Sequence, residues 1–70
     1  MTDKEKLAKL YVKDLSYEII ANIQSGDHTV EDMLNYIDNT NSEMVDLEEY
    51  EICIQLMRLK KWLKKTYDVN

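Results

Sequence analysis

The sequence predicts an all-α fold: a small three-helix domain, long, short, long, running antiparallel up-down-up and pairing into a dimer. Three observations lead there. The 70 residues include one Gly and no Pro, so the residues that turns and sheets draw on are nearly missing. Val and Thr are sparse beside Leu, Ile, Glu and Lys. Apolar residues recur at spacings of three and four. A chain this short buries only about 60% of its unfolded surface, which predicts a single domain over residues 1–70 with a thin core.

The first helix is predicted over residues 3–25. Ala8, Val12, Leu15, Ile19 and Ile23 are spaced four, three, four and four, so they share one stripe at about 100° per residue. Tyr11 and Ile20 flank that stripe. The helix ends at "QSGD", where Gly26 can take the left-handed conformation that closes a helix.

The second helix is predicted over residues 30–38. Thr29 is followed three residues later by Asp32, a capping box with Asp in place of Glu or Gln. Glu31 and Asp32 suit the positive end of the helix dipole. Val30, Met33, Leu34 and Ile37 line one face. "NTNS" at 39–42 reads as a polar connector, being rich in turn and cap formers.

The third helix is predicted over residues 43–67. Val45, Ile52, Leu56, Leu59 and Leu63 fall within roughly 60° of one another and predict its core stripe. Leu47, Tyr50, Ile54 and Met57 form a second apolar cluster near the opposite side. A short second helix would leave the third overhanging, with Leu59, Trp62 and Leu63 uncovered. Leu47, Tyr50, Ile54, Met57, Leu59 and Trp62 are therefore the expected dimer or partner stripe.

Charge is unevenly distributed along the chain. The net charge is −5, yet residues 26–51 hold nine acids and no Lys or Arg. Arg58, Lys60, Lys61, Lys64 and Lys65 then make the run "RLKKWLKK" a basic patch. Lysines at the end of a helix suit its dipole, and in an up-down-up bundle they approach Asp27, Glu31 and Asp32.

Several function classes fit poorly. One His and one Cys, about 25 residues apart, supply no nucleophile–base–orienter set, and a single Gly cannot build a phosphate-cradling loop; the expectation is that the chain is not an enzyme and takes no cofactor. His28 and Asp32 at i, i+4 suit a helix start better than a metal site, so no metal is expected. Cys53 reads as a small buried hydrophobe, and a lone cysteine suits a reduced setting. No run approaches a membrane span and "MTDKEKLAKLYV" has no signal-like apolar core, so the expected location is cytoplasmic, away from membranes. A helix-turn-helix reader of DNA is disfavoured, because its reading end would carry Glu43, Asp46, Glu48 and Glu49 against phosphates.

What remains is protein–protein interaction. Glu43, Asp46, Glu48, Glu49 and Glu51 form a candidate acidic face for a basic, nucleic-acid-binding partner, since complementary charge steers association. The expected function is an inhibitor or anti-repressor-like regulator. Two alternatives are a nucleic-acid-associated protein using the basic run, with Trp62 stacking on a base, and a structural self-assembly module. No motif identifies a family; the small, acidic, helical profile is similar in type to regulators carried by bacteria and their phages.

Overall fold

The computed structural model describes residues 2–69, which form three α-helices and no strands. They are α1 (Asp3–Ser25), α2 (Val30–Asp46) and α3 (Tyr50–Thr66). At about 1.5 Å per residue α1 is roughly 34 Å long. That accounts for the long dimension of the molecule, whose extents are 35 × 21 × 20 Å.

The helix starts follow from local chemistry. Thr2 caps α1, its hydroxyl accepting from the Glu5 N–H at 3.2 Å. At α2 the capping box is reciprocal: the Asp32 N–H donates to Thr29 Oγ1 at 3.0 Å and the Thr29 N–H to Asp32 Oδ2 at 3.2 Å. Gly26 sits at φ 80°, closing α1 in the left-handed conformation, with its N–H donating to the Ile23 carbonyl.

The core is one cluster drawn from all three helices. Val12, Leu15 and Ile19 of α1 meet Met33, Leu34 and Ile37 of α2 and Leu56, Leu59 and Leu63 of α3. Ile23, Val30, Met44 and Ile52 pack against its edge, joined by Tyr67 and Val69 from beyond α3. Ile19, Ile37, Leu56 and Leu63 are the most deeply buried large side chains.

Four expectations need correction. First, α2 does not stop at Asp38: it continues to Asp46, so residues 39–42 are helix and not connector. Thr40 is buried, Asn41 half-buried and Met44 packed on the core, at the positions that extend the Val30–Met33/Leu34–Ile37 rhythm. Second, the third helix begins at Tyr50 rather than at 43, so α2 and α3 are equal in length at 17 residues and the long, short, long pattern gives way to long and two equal. Third, with no short return leg there is no overhang: Leu59 and Leu63 are buried core residues, which removes Leu59 from the partner stripe. Fourth, Val45 lies on α2, not α3, and is 45% exposed.

The real break, at 47–49, contains neither Gly nor Pro. Glu48 takes the left-handed conformation, φ 59°. Its N–H donates to the Val45 carbonyl at 3.0 Å and the next N–H, of Glu49, to the Met44 carbonyl at 2.8 Å. That is the two-bond closure usually built on glycine. The end of α3 shares the left-handed residue and the wider-spanning of these bonds: Asp68 sits at φ 55° and the Val69 N–H reaches the Lys64 carbonyl at 2.8 Å.

Candidate functional site

The acidic face predicted on one helix is a corner between two. Glu43 and Asp46 end α2, Glu48 and Glu49 make the turn, and Glu51 opens α3. Glu43, Asp46 and Glu48 are exposed; Glu49 and Glu51 are half-buried. Among the described residues none of the five carboxylates forms an ion pair.

Moving the helix break changes the electrostatics. On a helix from 43 to 67, Glu43 and Asp46 would sit at a favourable positive dipole end. In the structure they sit in the last turn of α2, which carries no basic residue, at its negative end. A carboxylate there is disfavoured by about 0.3–1 kcal/mol. Glu49 caps α3 without any side-chain hydrogen bond to the helix. Glu51, in the first turn of α3, sits at a favourable positive end, so helix stability accounts for part of the charge at this corner but not for Glu43 and Asp46.

Beside the corner runs an uncovered apolar face. Tyr50, Ile54 and Met57 follow one another at spacings of four and three, on the side of α3 opposite Ile52, Leu56 and Leu63. Ile54 is 50% exposed and Met57 39%. Leu47, in the turn itself, is 67% exposed. The structure thus places four of the six expected stripe residues together on the surface: Leu47, Tyr50, Ile54 and Met57. It sends Leu59 inward and puts Trp62, 46% exposed, on a different side of α3.

The basic run is divided by the helix. Lys60 Nζ lies 2.7 Å from Asp38 Oδ1, binding α3 to α2. This is the ion pair actually formed; the expected approach of the lysines to Asp27, Glu31 and Asp32 yields none among the described residues. Lys64 is half-buried, while Arg58, Lys61 and Lys65 are exposed. Arg58 and Trp62 face α1 across an open groove of about 340 Å³, whose other rim carries Lys9 and Lys13. Sequence reading missed this groove, and also the exposed Leu7, Leu10 and Tyr17 of α1.

The remaining reactive groups are plainly accommodated. His28 Nδ1 is 3.9 Å from Asp32 Oδ2 at the start of α2. No group of three or more His, Cys, Asp or Glu residues is gathered for a metal among the described residues. The half-buried Cys53 thiol donates to the Asn41 carbonyl at 3.8 Å, joining α3 to α2. Among the described residues no helix is long and apolar enough to cross a membrane. Comparison with protein-family models, curated proteins and solved structures gave no match.

Proposed function

We propose that this chain is a protein–protein interaction module, an inhibitor or anti-repressor-like regulator that docks on the basic surface of a nucleic-acid-binding protein. The observation that carries this reading is the acidic corner. It holds five carboxylates with no ion pair among the described residues, two of them in the last turn of α2 where the dipole opposes them, beside an uncovered apolar face. Glu43, Asp46, Glu48, Glu49 and Glu51 stand in for a nucleic-acid backbone and steer the encounter. Leu47, Tyr50, Ile54 and Met57 supply the apolar contact that holds the complex once formed. The up-down-up arrangement, a two-fold dimer through the α3 face and action in the cytoplasm belong to the same proposal.

The test is capture from lysate of the source cell, with Glu48→Lys/Glu49→Lys beside wild type and circular dichroism on both. Supporting the reading are captured proteins that are basic, are released at high salt and are lost with the folded variant. Equal capture by the two proteins sinks it.

A second reading has its own support. Arg58, Lys61 and Lys65 are exposed and free of ion pairs among the described residues, and Trp62 is accessible for stacking on a base. It predicts salt-sensitive binding of an oligonucleotide, lost in Lys61→Glu/Lys64→Glu. No mobility shift at low salt removes it.

A further inference from the structure

The groove between α1 and α3 sets cationic side chains around apolar ones on an acidic chain. Val12 and Leu59, both buried, form an apolar floor. Lys9, Lys13 and Arg58, all exposed, stand around it, and Trp62 forms a wall. Among the described residues no carboxylate lines it. None of the three cations forms an ion pair among the described residues. The fold brings these groups together from positions more than forty residues apart, so a molecule of net charge −5 carries an open, shallow groove edged by cations.

The molecule also carries its complement. The corner at 47–49 is a turn between two helices, with Leu47 and Tyr50 exposed among Glu43, Asp46 and Glu48. It projects apolar side chains surrounded by acids, where the groove offers an apolar floor surrounded by bases. Corner and groove use separate residues, so one copy can offer both at once.

We infer that the groove of one copy receives the acidic corner of a second copy, giving head-to-tail self-association. Leu47 and Tyr50 of the corner pack on Trp62, the exposed apolar side chain of the groove, while the corner carboxylates face Lys9, Lys13 and Arg58. Unlike pairing of two α3 faces about a two-fold axis, this contact joins different surfaces, so it extends into a ring or a chain. It rests on the reading of the corner as a docking element, with a second copy in place of the basic partner. The two compete for the same carboxylates, so assembly sets how many corners are free to capture a partner.

The experiment uses purified protein alone, so its failure is distinct from failure of partner capture. Two variants each disable one side: Glu48→Lys/Glu49→Lys the corner, Lys9→Glu/Lys13→Glu the groove. Masses are read by sedimentation velocity at low and high salt, with circular dichroism on each sample. Wild type is expected to gain mass with concentration and to lose it near 1 M salt, where the screening length falls to about 3 Å. Each variant alone is expected to lose that gain. An equimolar mixture of the two is expected to regain one contact, because the intact corner of one meets the intact groove of the other. The milder Lys9→Gln/Lys13→Gln replaces the groove variant should charge reversal unfold it. A mixture no heavier than its components overturns the inference, as does a wild type whose mass is indifferent to concentration. So does a groove whose Lys9 and Lys13 are needed for binding a single-stranded oligonucleotide but not for self-association.

Discussion

Lys60 Nζ and Asp38 Oδ1 stand 2.7 Å apart and form the only ion pair between helices among the described residues. As α3 advances from Cys53 to Lys60, its partners on α2 step back from Asn41 to Asp38. One thiol hydrogen bond and one ion pair thus join the two helices, on the flank of a core that does most of the stabilising. Both partners of the ion pair keep solvent contact, at 26% and 48% exposure. Exposed pairs contribute about 0.2–1 kcal/mol and are screened by salt. A double-mutant cycle with Lys60→Gln and Asp38→Asn, read by urea denaturation, is expected to give a coupling of about 0.5 kcal/mol. The coupling should shrink near 1 M salt, where the screening length is about 3 Å. A value several times larger, or one indifferent to salt, contradicts this account.

The turn at Glu48 offers a stability test that also touches the corner. A left-handed conformation costs an L-residue about 1–2 kcal/mol, whereas Gly adopts it freely. Glu48 holds φ 59°. Part of the relief from Gly is offset by its greater freedom in the unfolded chain. Glu48→Gly is therefore expected to stabilise by about 0.5–1 kcal/mol, raising the melting temperature by a few degrees. Glu48 also lies between the negative end of α2 and the positive end of α3, so losing its carboxylate adds a charge contribution of its own. Glu48→Gln separates the two contributions, since it removes the charge and keeps the strain. A lower melting temperature for Glu48→Gly refutes the backbone assignment.

These two features also show why the fold was only partly readable. The stripes of α1 and of the first half of α2 follow from spacing, and the Gly26 cap and the Thr29–Asp32 box follow from residue type. The second half of α2 was hidden because Thr40 and Asn41 hold inward-facing positions where apolar residues are expected. Met44, seven residues after Ile37, was the available sign of continuity. The true break was hidden because Glu48 does the work usually given to Gly. Misplacing the break by seven residues reversed the dipole sense of Glu43 and Asp46 and created an overhang that does not exist. The acidic block was visible as composition. The cationic groove was not, because Lys9 and Lys13 meet Arg58 and Trp62 only through tertiary packing.

Asn41 supplies a third prediction. Its Oδ1 is buried and without a hydrogen-bond partner among the described residues. A buried polar atom left unpaired costs about 1–3 kcal/mol. Leu is similar in size and is the better helix former. Asn41→Leu is expected to stabilise by about 1 kcal/mol, seen as a higher urea midpoint at unchanged slope. The Cys53 thiol should be undisturbed, because it donates to the Asn41 main-chain carbonyl and not to the side chain. A thiol that becomes faster-reacting in the variant would show that the local packing had changed instead.

The last prediction sets one substitution at two positions five residues apart on α3. Leu59 is 8% exposed within the core cluster, and Ile54 is 50% exposed on the opposite side of the helix. Reading a single continuous stripe treats the two alike; the structure separates them. An Asp at position 59 buries a charge without a partner, at several kcal/mol. A small domain holds only about 5–15 kcal/mol in total. Leu59→Asp is expected to unfold, with loss of the helical far-ultraviolet signal. An Asp at Ile54 stays in water, so the helical signal and the urea slope should match wild type, with stability within about 0.5 kcal/mol. Any dimer formed through the Tyr50, Ile54 and Met57 face should then be lost from the folded variant, as read by light scattering. Head-to-tail association should survive, since neither Lys9 nor Glu48 is altered. If Ile54→Asp unfolds the chain, or if Leu59→Asp leaves it helical, the division of α3 into a core side and a free side is wrong.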